Sequence, residues 1–88
     1  MIHELKISPE YFDAVAQDIK PFEVRGNDRH FKVGDVLFLD EYIPEYDSPY
    51  TGRTTRKVIT YILDAPDYVK AGYVILGLAP LREVQNDD

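Results

Sequence analysis

The hydrophobic period of this chain changes only briefly, and that change is the strongest constraint on its fold. Ile2 to Ile7 alternate, with His3, Leu5 and Ile7 on one side and Ile2, Glu4 and Lys6 on the other, as in a short strand with one apolar face. Ser8-Pro9-Glu10 then signals a helix start. Serine caps exposed N–H groups, proline at the first helical position loses nothing by lacking its own, and an acid suits the positive end of the dipole. Phe12, Val15, Ala16 and Ile19 recur at spacings of three and four, which predicts a helix to about Gln17 that buries this stripe and leaves Asp13, Gln17 and Lys20 wet. Pro21 cannot continue it.

From Pro21 the period returns to two. Phe22 and Val24 point one way and Glu23 and Arg25 the other, so a second strand follows directly. Gly26-Asn27-Asp28 and Gly34-Asp35 turn the chain, and Val36-Leu37-Phe38-Leu39 reads as a central strand covered on both sides and reaching Tyr42. Ile43 to Gly52, with two prolines, reads as a loop of about ten residues. Thr54 to Leu63 reads as the longest strand, Gly72 to Leu78 as the last, and 83–88 as a loose acidic tail. One early helix and about five strands make a single α+β domain over 1–88, with a curved, mostly antiparallel sheet closing into a partial β-barrel.

Composition narrows the class further. With 44% hydrophobic and 30% charged residues the chain is neither disordered nor fibrous, and without cysteine it has no disulfide or thiolate metal site. No apolar run approaches the roughly 18 residues of a membrane span, and Met1-Ile2-His3-Glu4 lacks the pattern of a signal peptide, so no membrane partner and a cytoplasmic location are expected. A net charge of -6 argues against a protein that coats duplex DNA with its whole surface. Positive charge is confined to two segments, +1 over 20–35 and +3 over 51–57, with -4 between them over 36–50.

The densest polar constellation runs from Lys20 to Asp35. Its pattern Lys-x-x-Glu-x-Arg after a short helix, followed by Phe31-Lys32-Val33-Gly34-Asp35-Val36-Leu37, resembles the ASCH superfamily of PUA-like folds. More narrowly, His3-Glu4-Leu5-Lys6-Ile7, Pro9-Glu10-Tyr11-Phe12, Asn27-Asp28-Arg29, Tyr50-Thr51-Gly52 and Gly72-Tyr73-Val74 resemble a small phage and bacterial family within it that has no established activity. The resemblance spans nearly the whole chain. It implies a barrel with a helix across one opening, and a cleft between helix end and sheet where relatives are thought to meet RNA or modified nucleosides. One branch hydrolyses the amide of acetylated cytidine with a Lys-x-x-Thr pattern followed by Arg. Lys20 and Arg25 match that pattern, but Glu23 stands where the branch has its threonine nucleophile. A carboxylate is a poor acyl nucleophile in water.

Independently of any family, Glu23 and Arg25 lie two apart on one strand, so their side chains emerge from one face roughly 7 Å apart. In the functional reading Arg25 holds a phosphate or base edge, Glu23 accepts from an exocyclic amine, and Lys20 adds charge. In the structural reading the three are an ion network bracing helix against strand. Arg29 is either a cationic rim or solvated charge, while Asn27 and Asp28 are turn residues. Arg53, Arg56 and Lys57 follow the tyrosines 42, 46 and 50, the mixture of rings and cations that single-stranded nucleic acid uses, and both readings stand for Tyr50 and Arg53. Tyr61 and Tyr73 are expected to pack with a wet hydroxyl.

His3 is expected to be a packed or capping histidine and His30 an inert exposed one. The two are far apart in sequence, which argues for no metal; no cofactor is expected. Asp40 and Glu41 are adjacent, face opposite sides of a strand, and read as solvent and edge charge. The expected function is a small RNA- or nucleotide-binding module whose cationic cleft is lined by Lys20, Glu23, Arg25, Arg29, Tyr50 and Arg53 and takes single-stranded RNA or a nucleotide. The alternatives are an amidohydrolase on a modified nucleoside, with Lys20 and Glu23 as catalytic proton carriers, and a module that meets a protein partner through the acidic 36–50 segment.

Overall fold

The computed structural model describes residues 1–81, so the acidic tail at 83–88 lies outside the described residues. The elements are β1 (Ile2–Ile7), α1 (Pro9–Ala16), β2 (Phe22–Gly26), β3 (Val36–Tyr42), β4 (Tyr50–Leu63) and β5 (Tyr73–Pro80). The sheet order is β1-β3-β4-β5-β2, with β1 parallel to β3 and every other pair antiparallel. β1 and β2 are the edges. The fold is thus an α+β half-barrel with one short helix near the N-terminus.

Helix α1 starts as its residues dictate: the Ser8 hydroxyl accepts from the Glu10 N–H at 3.2 Å, and Pro9 follows the cap. It ends sooner than the apolar spacing predicts. Asp18 adopts a φ of 60°, in the left-handed region that short polar side chains tolerate, and the Ile19 and Lys20 N–H groups both donate to the Ala14 carbonyl at 2.9 Å. The stripe therefore stops at Ala16, Ile19 is left 72% exposed, and Lys20 folds back half-buried instead of standing in water.

Strand β4 begins at Tyr50, so the preceding loop is shorter than the composition of 43–52 suggests. Register shifts at Asp40/Tyr42 and at Ile59/Tyr61 increase the local twist and curl the sheet. At the second shift β5 carries Gly77, where a Cβ would meet the Thr60 hydroxyl at 3.2 Å. The curled inner face holds Leu37, Leu39, Ile59, Val74 and Leu76, and α1 closes one opening by adding Phe12 and Val15. The outer side of β3 is only half covered, where a strand buried on both faces was expected.

Charged groups also enter this interior. Lys57, 3% exposed on the inner face of β4, donates to Asp18 at 2.5 Å and ties the end of α1 to the sheet. His3 packs its ring edge-on to Phe31 and donates from Nε2 to the Asp35 carboxylate at 2.8 Å, as a packed histidine should.

Candidate functional site

Strand β2 reverses the polarity that burial of apolar area favours. Glu23 and Arg25 face the interior while Phe22 and Val24 face water. Glu23 is only 4% exposed. Its two oxygens are held separately: Lys20 Nζ donates to Oε1 at 3.0 Å and Arg25 Nε to Oε2 at 2.9 Å. Such charge-assisted bonds are what a buried carboxylate requires. The Lys20 ammonium also lies over the rings of Tyr11 and Phe22, at 4.6 and 5.0 Å.

Arg25 does a second thing with its remaining donors. Its Nη2 donates to the Lys6 carbonyl at 2.6 Å, from edge strand β2 to edge strand β1. The half-barrel therefore has a seam, and Arg25 spans it. On the helix side the seam opens into a depression of about 350 Å³ lined by Lys6, Ser8, Tyr11, Lys20, Glu23 and Arg25. On the other side lies one of about 450 Å³ whose walls include Glu4, Lys6, Arg25, Gly26, Arg29 and Tyr50. A third, of about 470 Å³, continues past Glu4, Asp40 and Tyr50 to Glu41 and Arg53. Neighbouring depressions share lining residues, so the three follow one another along a groove, each in the size range of small-molecule sites.

Lys20, Glu23, Arg25, Arg29, Tyr50 and Arg53 all border this groove. Lys20 and Glu23 lie at one end, Arg25 at the seam, Arg29 and Tyr50 beyond it, and Arg53 at the far end. The Lys20-Glu23-Arg25 ion network is present as well, so these side chains both brace the fold and line the cavity. Arg53 is similarly engaged: it pairs with Asp13 of α1, lies 3.7 Å from Glu41, and stacks 4.3 Å from the Phe12 ring centroid. The Asp13 hydrogen bond pushes its pKa upward. Tyr50 remains exposed with its ring edge-on to Tyr42 at 5.0 Å.

Charge along the groove differs from the expected cationic cleft. Lys6, Lys20, Arg25, Arg29 and Arg53 are matched in number by Glu4, Glu23, Asp28, Asp40 and Glu41. Within a molecule of net charge -6 this is a neutral strip. Lys6 escaped the sequence reading because its segment is acidic, although its alternation with Leu5 and Ile7 put it on the polar side of β1.

Glu41 corrects the reading of Asp40-Glu41 as solvent charge. It is 6% exposed and accepts from the Thr51 hydroxyl at 2.7 Å, because the register turns odd-numbered residues of β3 inward. Of the four acids in 36–50, only Glu45 and Asp47 are fully at the surface. Among the described residues no three His, Asp or Glu side chains converge as a metal-ligand set, and no helix is long and apolar enough to cross a membrane.

Comparison with known proteins finds a relative in a phage. An uncharacterized 12.9 kDa protein from Escherichia phage P2, described by its place in the GpA 3′ region, is 37% identical over 75 residues, which is 85% of this chain. The chain spans 65% of that protein's length. A family model described as Domain of unknown function (DUF3850) matches residues 2–78, and the chain belongs to that family.

Proposed function

We propose that this protein is a small binding module for a nucleotide or the end of a single-stranded RNA, held in the groove along the β1–β2 seam. The observation that carries this reading is the continuity of the groove: rings and planar guanidinium groups, Tyr50, Arg25 and Arg29, line one cavity of about 450 Å³. A half-barrel with a helix over one opening is also the shape expected of the ASCH superfamily, in which we place the chain on its Lys20, Glu23 and Arg25 pattern. Binding fits better than hydrolysis, because each Glu23 oxygen already accepts from a cation and the carboxylate is held as a brace between them.

The ion pairs limit how much phosphate the groove can neutralise. Lys20, Arg25 and Arg53 already face carboxylates, whereas Lys6 and Arg29 have none within ion-pair distance among the described residues. One or two phosphates are therefore expected, and a log–log slope of affinity against salt of about -1. Titration of a short oligoribonucleotide at several salt concentrations checks this, with Arg29→Ala expected to weaken binding about ten-fold and flatten the slope. A salt response already flat in the natural protein, with Arg29→Ala binding as before, would remove the reading.

A further inference from the structure

Among the described residues, the two edges of the seam turn main-chain groups that have no strand partner toward each other. In β2 the ladder with β5 uses the odd residues: Leu78 N–H donates to the Pro21 carbonyl at 2.9 Å, Asn27 N–H to the Gly72 carbonyl at 2.8 Å, and Glu23 and Arg25 fall between them in the same register. Phe22, Val24 and Gly26 consequently turn their N–H and C=O groups away from β5. In β1 the Val36 N–H donates to the Met1 carbonyl at 3.0 Å, so the odd residues serve β3 and the N–H and C=O groups of Glu4 and Lys6 point outward. The Arg25 bond to the Lys6 carbonyl confirms that direction.

Resting on the nucleotide reading above, we propose that the base enters this seam edge-on and is recognised by the main chain of Glu4 and Gly26. Both residues line the cavity beside Arg25 and Arg29. Each offers one donor and one acceptor on a rigid strand, which is the complement of the mixed donor and acceptor edge of a nucleobase. Arg25 is held in place by Glu23 and Lys6 and closes the helix side of the slot with its planar group. Arg29, on the loop after β2, takes the phosphate. Selectivity among bases thus comes from the strand edges, and affinity common to all nucleotides from the side chains.

Gly26 allows the main chain itself to be tested. A Cβ built there meets nothing within 4 Å, and its N–H lies outside the β5 ladder, so Gly26→Pro removes a free donor from an edge strand where proline is tolerated. The experiment is an amide NMR titration of the whole chain with ribose 5-phosphate and with the common ribonucleoside monophosphates. Nucleotides should move the Glu4 and Gly26 amide resonances and differ among themselves in affinity by about ten-fold, while ribose phosphate leaves both amides in place. Gly26→Pro should flatten that spread and Gly26→Ala should keep it. Ribose phosphate binding as tightly as every nucleotide, with both amides unmoved, would overturn base recognition and leave the phosphate-holding groove standing. Failure of all these compounds to bind would overturn both. The spectra of the natural protein decide the matter even if Gly26→Pro does not fold.

Discussion

A buried carboxylate on an edge strand is stable only as long as its partners stay, and Glu23 shows how tightly that condition is met. Lys20 and Arg25 each have a donor on it, and each is itself half-buried. Removing the acid leaves two cations facing an apolar interior, while replacing both cations would strand the acid. Because water still reaches the cations in part, Glu23→Ala should lower stability by about 2 kcal/mol, below the range for fully enclosed pairs. Urea unfolding of the two proteins checks this; a change under about 0.5 kcal/mol would mean the pairs behave as surface ion pairs do. Arg53 makes the same point from the helix side, since its charge is shared between Asp13 and Glu41.

At the scale of elements, the helix is the piece whose limits matter most. It has only eight residues, too few to be stable by propensity, so it depends on the Ser8 cap at one end and on the Asp18 turn and Lys57 at the other. Its Phe12 and Val15 close the barrel opening, and its end places Lys20 against Glu23. Ser8→Ala should therefore cost about 1 kcal/mol, read as a lower thermal midpoint. The strands depend on each other differently. Among the described residues β1 and β2 each pair on one side only, and inward-facing charges such as Glu23 and Arg25 are one way an edge is protected from joining other chains.

For the whole molecule, Asp35 is the charge that couples distant parts of the chain. It accepts from His3 of β1 at 2.8 Å and from the Lys32 N–H at 3.0 Å, at the turn that leads into β3. The His3 hydrogen bond, helped by Lys32 and opposed by burial, lowers its pKa from the usual 3.8 to about 2. The folded state thus favours the ionised form. Its contribution, about 2 kcal/mol, is complete above about pH 4 and is lost as the pH falls through 2. Unfolding free energies measured across that window should fall more steeply for the natural protein than for Asp35→Asn, which lacks the titrating group. Parallel curves would contradict the assignment.

Local order in this chain is legible without coordinates. Alternation in Ile2 to Ile7, the Ser8-Pro9-Glu10 cap and the β-branched run at Thr54 to Leu63 each depend on neighbours in sequence, and the structure keeps each of them. That Glu23 and Arg25 share a face was equally plain from their spacing. Which face was inward was not, since Phe22 and Val24 are the better candidates by hydrophobicity and only the β5 register and the positions of Lys20 and Lys6 reverse the choice. The same holds for Glu41, buried by the pleat of β3, and for the seam. Strand order, the parallel partner of β1 and the facing of two free edges arise from contacts between residues far apart along the chain. Periodicity carries no record of such contacts, so the groove belongs to the tertiary structure, whereas the elements that wall it belong to the sequence.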